Sequence, residues 1–343
     1  MPPSHPYKDI PIANDAPFEL KPSPGKGWGC FAKTNIAEGS LIYREEPLLV
    51  VPRRLSQATE ADIHAAVNQL GERERRIYSW LRKNGDATKK YTYYRDALSD
   101  NYHQLKKLSK THSHLYVVHS RFNHSCVPNM KVVHNPNNVQ LESYAFRDIM
   151  AGEEITFSYW QSLYKTSAQR REMLQEVKSF VCDCRACVPG TAFQEQSDSR
   201  RRLLRGLKFL RIGKDPEERE NSPDRYPLIF DAQLKQDIAN KRVPKYLEFI
   251  CMLLGAFLSE KEGFLGYYKT IGDVEKRFPK FVDTFGTANH KEIARHALSQ
   301  ETWWKKFCEA CKLYGRVDAN DGSQIPWPHW GDILPVILRN WTP

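Results

Sequence analysis

Long apolar runs are missing from this 343-residue chain. The longest, Phe249 to Leu258, has ten residues, whereas a helix needs about 20 to cross a bilayer. A membrane span is therefore not expected, and the segment reads as part of a buried helix. Met1 to Pro17 holds five prolines and no apolar centre, so it is not expected to act as a secretory signal. Residues 1–17 are expected to form a disordered lead-in. Evenly spread cysteine pairs, the mark of a disulfide framework, are absent too. Of eight cysteines, three crowd into residues 182–187, which points to thiolate metal ligands and a reducing, intracellular compartment, nucleus or cytoplasm. No repeat of about 34 residues is visible, while the helix lengths leave a helix-pair repeat architecture open.

A surplus of acid is lacking as well. Lys and Arg number 51 against 41 Asp and Glu, a net charge of +10. That favours approach to acidic surfaces, nucleosomes included. The charge is spread along the chain with Arg200-Arg201-Arg202 as its densest point, and solubility accounts for it equally well. Hydrophobic residues at 41% and charged residues at 27% are ordinary globular values, and the length allows two domains or one elaborated domain.

Short apolar runs separated by turn residues between Phe18 and Val51 read as β-strands. Between Ser56 and Ser113 the spacing becomes helical, with Ile63, Val67 and Leu70, then Ile77, Trp80 and Leu81. Strand signals return at Leu115 to His119, Lys131 to His134 and Val139 to Phe146, with a turn at Asn135-Pro136-Asn137-Asn138. Ser167 to Lys178 predicts a helix with Met173, Leu174 and Val177 on one face. Residues 213–227, rich in charge, proline and serine, read as a linker before a helical C-terminal region.

Four segments hold the chemistry. Gly25-Lys26-Gly27-Trp28-Gly29 would let the backbone turn tightly and approach a ligand, or it is an ordinary turn; no third glycine follows at the dinucleotide-binding offset. Asn123-His124-Ser125-Cys126-Val127-Pro128-Asn129 packs hydrogen-bonding side chains and a thiol into one loop, either for a ligand or for its own backbone. Gly152-Glu153-Glu154-Ile155-Thr156-Phe157-Ser158-Tyr159 predicts a strand with Ile155, Phe157 and Tyr159 on one face. Tyr159 would then line a pocket or fill a core. Cys182, Cys184 and Cys187 supply three soft ligands for a tetrahedral zinc, and Cys126 is the candidate fourth. Cys308 and Cys311 form a further pair but lack partners nearby, and read as buried structural cysteines.

In that order these segments resemble the SET-domain protein lysine methyltransferases, over roughly Phe18 to Gly190. The helix leading into Phe180-Val181-Cys182-Asp183-Cys184-Arg185-Ala186-Cys187 is most similar to the SET-and-MYND subgroup. No cysteine stands between Cys30 and Cys126, so that subgroup's MYND zinc module is expected to be missing. The resemblance implies an α+β fold: a β-rich SET core with a pseudoknot at residues 18–165, a helical insertion at about 56–113, a post-SET zinc segment at 166–190 and a mainly helical region at 191–343.

It also implies S-adenosylmethionine as methyl donor and a structural zinc. Lys26, Gly27 and Trp28 would contact the donor largely through backbone, and Asn123 and His124 would bind its amino-acid and adenine parts. Tyr159 would orient methyl and amine, and Phe157 would leave room for higher methylation states. The partner would be a protein with an exposed lysine, histone or other. The alternative is a catalytically inactive SET fold that binds peptides or acts as a scaffold.

Overall fold

The computed structural model describes residues 7, 10–81, 92–103, 112–134, 139–160, 163–212, 216–217, 252, 255–256, 258–259 and 262–264. The chain divides into two compact units, Met1–Tyr159 and Trp160–Pro343. The first contains β1 (Phe18–Ser23), β2 (Gly27–Ala32), β3 (Leu41–Glu45), β4 (Leu49–Val51), α1 (Glu60–Asn68), α2 (Glu72–Ser79) and α3 (Tyr94–Asn101). It continues with β5 (Tyr102–His103), β6 (Ser113–Leu115), a single 3-10 turn (His119–Arg121), β7 (Asn123–His124), β8 (Met130–His134), β9 (Leu141–Ala145) and β10 (Glu154–Phe157). In the second unit the described helices include α4 (Ser167–Lys178) and α5 (Ala192–Ile212).

Among the described residues the first unit holds three small sheets beside its helices. The four-stranded one has the order β1-β2-β10-β7, and the two three-stranded ones run β3-β9-β8 and β4-β6-β5. β1 and β2 form an antiparallel hairpin from Phe18↔Ala32 to Ser23↔Gly27. In β1, Phe18 and Leu20 are buried while Glu19 and Lys21 face water, the alternation of a half-buried strand. β10 joins β2 antiparallel and β7 parallel, with Thr156 opposite Asn123 and Phe157 opposite His124. Two segments some thirty residues apart in the chain are thereby laid side by side.

The main core gathers Phe18, Leu20, Cys30, Ile36, Val117, Phe122, Met130, Ile149 and Ile155, each large apolar side chain contributing about 1.5–3 kcal/mol by burial. Tyr7, Ile10 and Ala16 join it, so this part of the expected lead-in is packed. Pro11 and Pro17 have no N–H to donate to regular structure, but Tyr7, Ile10 and Ala16 still anchor the chain, and Tyr7 meets Trp28 edge-on at 6.3 Å. A second core under the insertion is built from Leu49, Val51, Ile63, Val67, Leu98 and Leu115. Thr59 caps α1 by accepting from the Asp62 N–H at 3.2 Å while Asp62 accepts from the Thr59 N–H at 2.9 Å, a reciprocal capping box.

Two sequence expectations change. The strand expected over Leu115 to His119 stops at Leu115, because the Glu45 carboxylate accepts from the N–H groups of Val118 and His119 at 2.8 Å each and bends the chain into the 3-10 turn. On α4 the buried residues are Ser167, Arg170 and Leu174, whereas Val177 is 49% exposed. A polar side chain won the inward position because it finds partners there, described below.

Among the described residues no helix is long and apolar enough to cross a membrane. The turn at 135–138, residues 104–111 of the insertion, most of the 213–227 linker, most of the region 218–343 and the Cys308/Cys311 pair lie outside the described residues.

Candidate functional site

The β1–β2 turn supplies the first wall. Gly25 and Gly27 have φ of +73° and +78°, a left-handed conformation that side chains disfavour. A Cβ on either would meet nothing within 4 Å, so the backbone between them is open to a ligand. Gly29 is different: a Cβ there would overlap the Glu154 carboxylate and stand 2.8 Å from Asn123 Nδ2. The missing side chain makes room for an Asn123–Glu154 pair.

That pair organises the turn. Asn123 Nδ2 donates to Glu154 Oε1 at 2.7 Å and to the Trp28 carbonyl at 3.2 Å. Lys26 Nζ lies 3.5 Å from Glu154 Oε2. Lys26, Trp28, Asn123 and Glu154 thus meet in one partly buried cluster, with a cation, a carboxylate and an amide fixed relative to the glycine turn. Asn129 holds the neighbouring strand by accepting from the Thr156 N–H at 2.8 Å and donating to the Glu154 carbonyl at 2.9 Å.

The second wall is aromatic. The rings of Phe157 and Tyr159 are 5.0 Å apart, and those of His124 and Tyr159 5.2 Å. The Tyr159 hydroxyl donates to the Phe122 carbonyl at 3.0 Å. Burial pushes its pKa well above the ordinary phenol value, Arg121 pulling it partway back and Glu154 and Cys30 adding to the rise. Tyr159 is accordingly a neutral hydrogen-bonding group at physiological pH.

His124 is buried, and its ring faces inward. Nδ1 accepts from the Tyr159 N–H at 3.0 Å, so in the neutral imidazole the proton sits on Nε2, which is 3.3 Å from Cys126 Sγ. The ring therefore bridges the Tyr159 backbone to a cysteine. Cys30, also buried, has its thiol raised well up, chiefly by burial, and belongs to the core.

Cys182, Cys184 and Cys187 lie in the turn between α4 and α5, closed by Cys187 N–H donating to the Cys184 carbonyl at 2.6 Å. Cys182 and Cys187 are buried and Cys184 is half-buried, so three thiols share this one turn. A tetrahedral zinc takes four ligands, with Zn–S of about 2.3 Å, and these three sulfurs fit it in softness and supply three of the four.

Sequence patterning does not mark Glu154. Strand alternation named the face of Ile155, Phe157 and Tyr159, and the same alternation turns Glu154 to the opposite side, where β2 offers the gap at Gly29. The glycine spacing was the available signal.

Residues 27–160 match the SET domain family, so the chain carries a SET domain. The chain is 32% identical over 190 residues to the histone-lysine N-methyltransferase set5 of Schizosaccharomyces pombe, a match covering 54% of this chain and 56% of that protein. It is 40% identical over 78 residues to the human protein-lysine N-trimethyltransferase SMYD5, covering 22% and 19%. With the human histone-lysine N-methyltransferase SMYD3 it shares 44% over 73 residues, covering 21% and 16%. The matches span just over half of the yeast protein and less than a fifth of each human one.

Proposed function

We propose that this SET domain transfers a methyl group from S-adenosylmethionine to the side-chain amine of a protein lysine. The observation that carries the proposal is the convergence of an open glycine turn, the Lys26–Glu154–Asn123 cluster and the aromatic wall of Phe157 and Tyr159 within one SET domain. Its relatives named above, as lysine methyltransferases, support the same reaction.

When bound, S-adenosylmethionine supplies an electrophilic methyl carbon that a lysine nitrogen attacks in line, the carbon–sulfur bond breaking with its electron pair left on sulfur. The turn backbone at Lys26, Gly27 and Trp28 would receive this donor where no Cβ intervenes. Asn123, its amide oriented by Glu154, would present hydrogen bonds to it, and His124, whose ring is engaged inside, would contribute through backbone. Phe157 and Tyr159 would flank the incoming lysine. Low polarity there favours the neutral amine, which has the lone pair that attack requires, and the Tyr159 hydroxyl, held on the Phe122 carbonyl, would orient it; alignment is the main catalytic effect. Phe157, without a hydroxyl, would leave room for more than one methyl.

Cys126, Cys182, Cys184 and Cys187 would hold one structural zinc. Its binding energy would order the cysteine turn, since a site of four thiolates forms only when the chain is folded. Reduced thiolates and this cosubstrate imply an intracellular protein, in nucleus or cytoplasm. The substrate would be an exposed lysine on a histone or another protein.

The test is incubation of the full chain with labelled S-adenosylmethionine and either nucleosomes or a whole-cell extract, with Tyr159→Phe and Asn123→Ala alongside. Label on a protein lysine that is lost in both variants supports the proposal. Tight binding of S-adenosylmethionine with no transfer to any protein would refute catalysis and favour a binding module.

A further inference from the structure

The buried face of α4 holds a fully buried arginine. Arg170 is 0% exposed, and removing a guanidinium from water costs several kcal/mol unless partners satisfy it. Its Nη1 donates to the Lys165 carbonyl at 2.6 Å and lies 3.5 Å from Asp198 Oδ1. Its Nη2 donates to the Ala186 carbonyl at 2.5 Å and to Cys187 Sγ at 3.5 Å. Asp198 is held in turn by the Ser167 N–H, the Ser167 hydroxyl and Gln194 Nε2, at 2.6, 2.7 and 2.7 Å. The guanidinium is thus clamped between two helices and aimed at the cysteine turn, and Cys187 itself is 0% exposed.

A protonated thiol is a weak acceptor and gives a buried cation little in return. A metal-bound cysteine sulfur bears negative charge and is a good acceptor for a charged donor. Four such sulfurs around one divalent zinc leave a net charge of about −2, which a buried site must balance.

We propose that Arg170 is a positioning residue of the cysteine metal centre: it donates to the Cys187 sulfur, offsets the charge of the four-cysteine site and fixes the Ala186–Cys187 backbone. The inference rests on the zinc reading above. Partners of this outer kind change metal affinity by about 10–100-fold when removed, and that is the expected effect here.

Replacing Arg170 alone would leave Asp198 buried without its cation, so the informative pair is Asp198→Asn against Asp198→Asn/Arg170→Leu in the full chain. The measurements are zinc release to a chromophoric chelator and the absorption spectrum of the cobalt(II)-substituted protein. The double variant is expected to hold zinc roughly 10–100-fold more weakly than Asp198→Asn. Its sulfur-to-cobalt charge-transfer band is expected to shift to longer wavelength, because a sulfur without its hydrogen bond gives up electron density more easily. Asp198→Asn/Arg170→Lys, which keeps a charged donor, is expected to fall between the two. Equal zinc retention and identical cobalt spectra in the two principal variants would overturn the role of Arg170 while leaving the metal site standing. Wild-type protein that takes up neither zinc nor cobalt would overturn the metal site and this role with it.

Discussion

Gly29→Ala separates folding from ligand binding at the candidate site. Gly29 lies in β2 outside the left-handed region, so alanine suits its backbone, and the lower entropy of the unfolded chain contributes about 0.4–1 kcal/mol to stability. Against this, the new Cβ displaces the Glu154 carboxylate and crowds Asn123 Nδ2. Both are ends of side chains, so the strand survives and what is lost is their mutual hydrogen bond. A bond to a charged group is worth about 1.5–3 kcal/mol, and water replaces part of it because Asn123 and Glu154 are only partly buried. The two effects nearly cancel, and the melting temperature is expected to move by no more than about 2–4 °C. Binding has no such compensation. Asn123 loses its fixed orientation, and forfeiting one charge-assisted interaction lowers S-adenosylmethionine affinity roughly ten- to a hundred-fold. Titration calorimetry with S-adenosylmethionine, beside a thermal melt, reads both quantities. An unchanged affinity in a normally folded variant would refute the assignment of this cluster to the donor site. Glu154→Gln, which keeps the size but removes the charge facing Lys26, is expected to lose less.

Tyr159→Phe is expected to lower kcat about a hundred-fold through lost alignment, with S-adenosylmethionine affinity within about twofold of wild type; steady-state kinetics and calorimetry check this. His114 predicts an acid-sensitive fold: its pKa falls from 6.5 to about 4, through burial first and then the charges of His112 and His134. The unfolded chain takes up the proton near pH 6.5 and the folded one resists it, so this stability is full above pH 6.5 and lost as pH falls towards 4. Urea midpoints between pH 7 and 4.5 are expected to fall less steeply in His114→Phe. Atomic absorption on protein purified without chelator is expected to give about one zinc per chain, and its removal to lower the melting temperature; protein without zinc would dismiss the site.

Several features are legible in the sequence alone. The glycine turn is evident from its spacing, and Gly25 and Gly27 adopt the positive φ that only glycine tolerates well. Helical spacing within residues 56–113 became α1, α2 and α3, and Ser167 to Lys178 became α4. The crowding of Cys182, Cys184 and Cys187 into six residues is legible as a set of soft metal ligands. All of these rest on interactions within a few residues of chain, where period, turn geometry and ligand softness suffice.

What only the tertiary structure decided depends on residues far apart in sequence. Parallel pairing of β7 with β10 puts Asn123 beside Thr156, and only then does Glu154 reach across the gap at Gly29 to orient the Asn123 amide. The His124 ring turned inward because the Tyr159 N–H and Cys126 Sγ satisfy its two nitrogens there. Arg170, not Val177, took the inner face of α4, since Asp198, two backbone carbonyls and Cys187 could meet a guanidinium's demand for partners. Periodicity can mark a position as facing inward, but which polar group can be buried at it is set by the partners that the rest of the fold brings within about 3 Å.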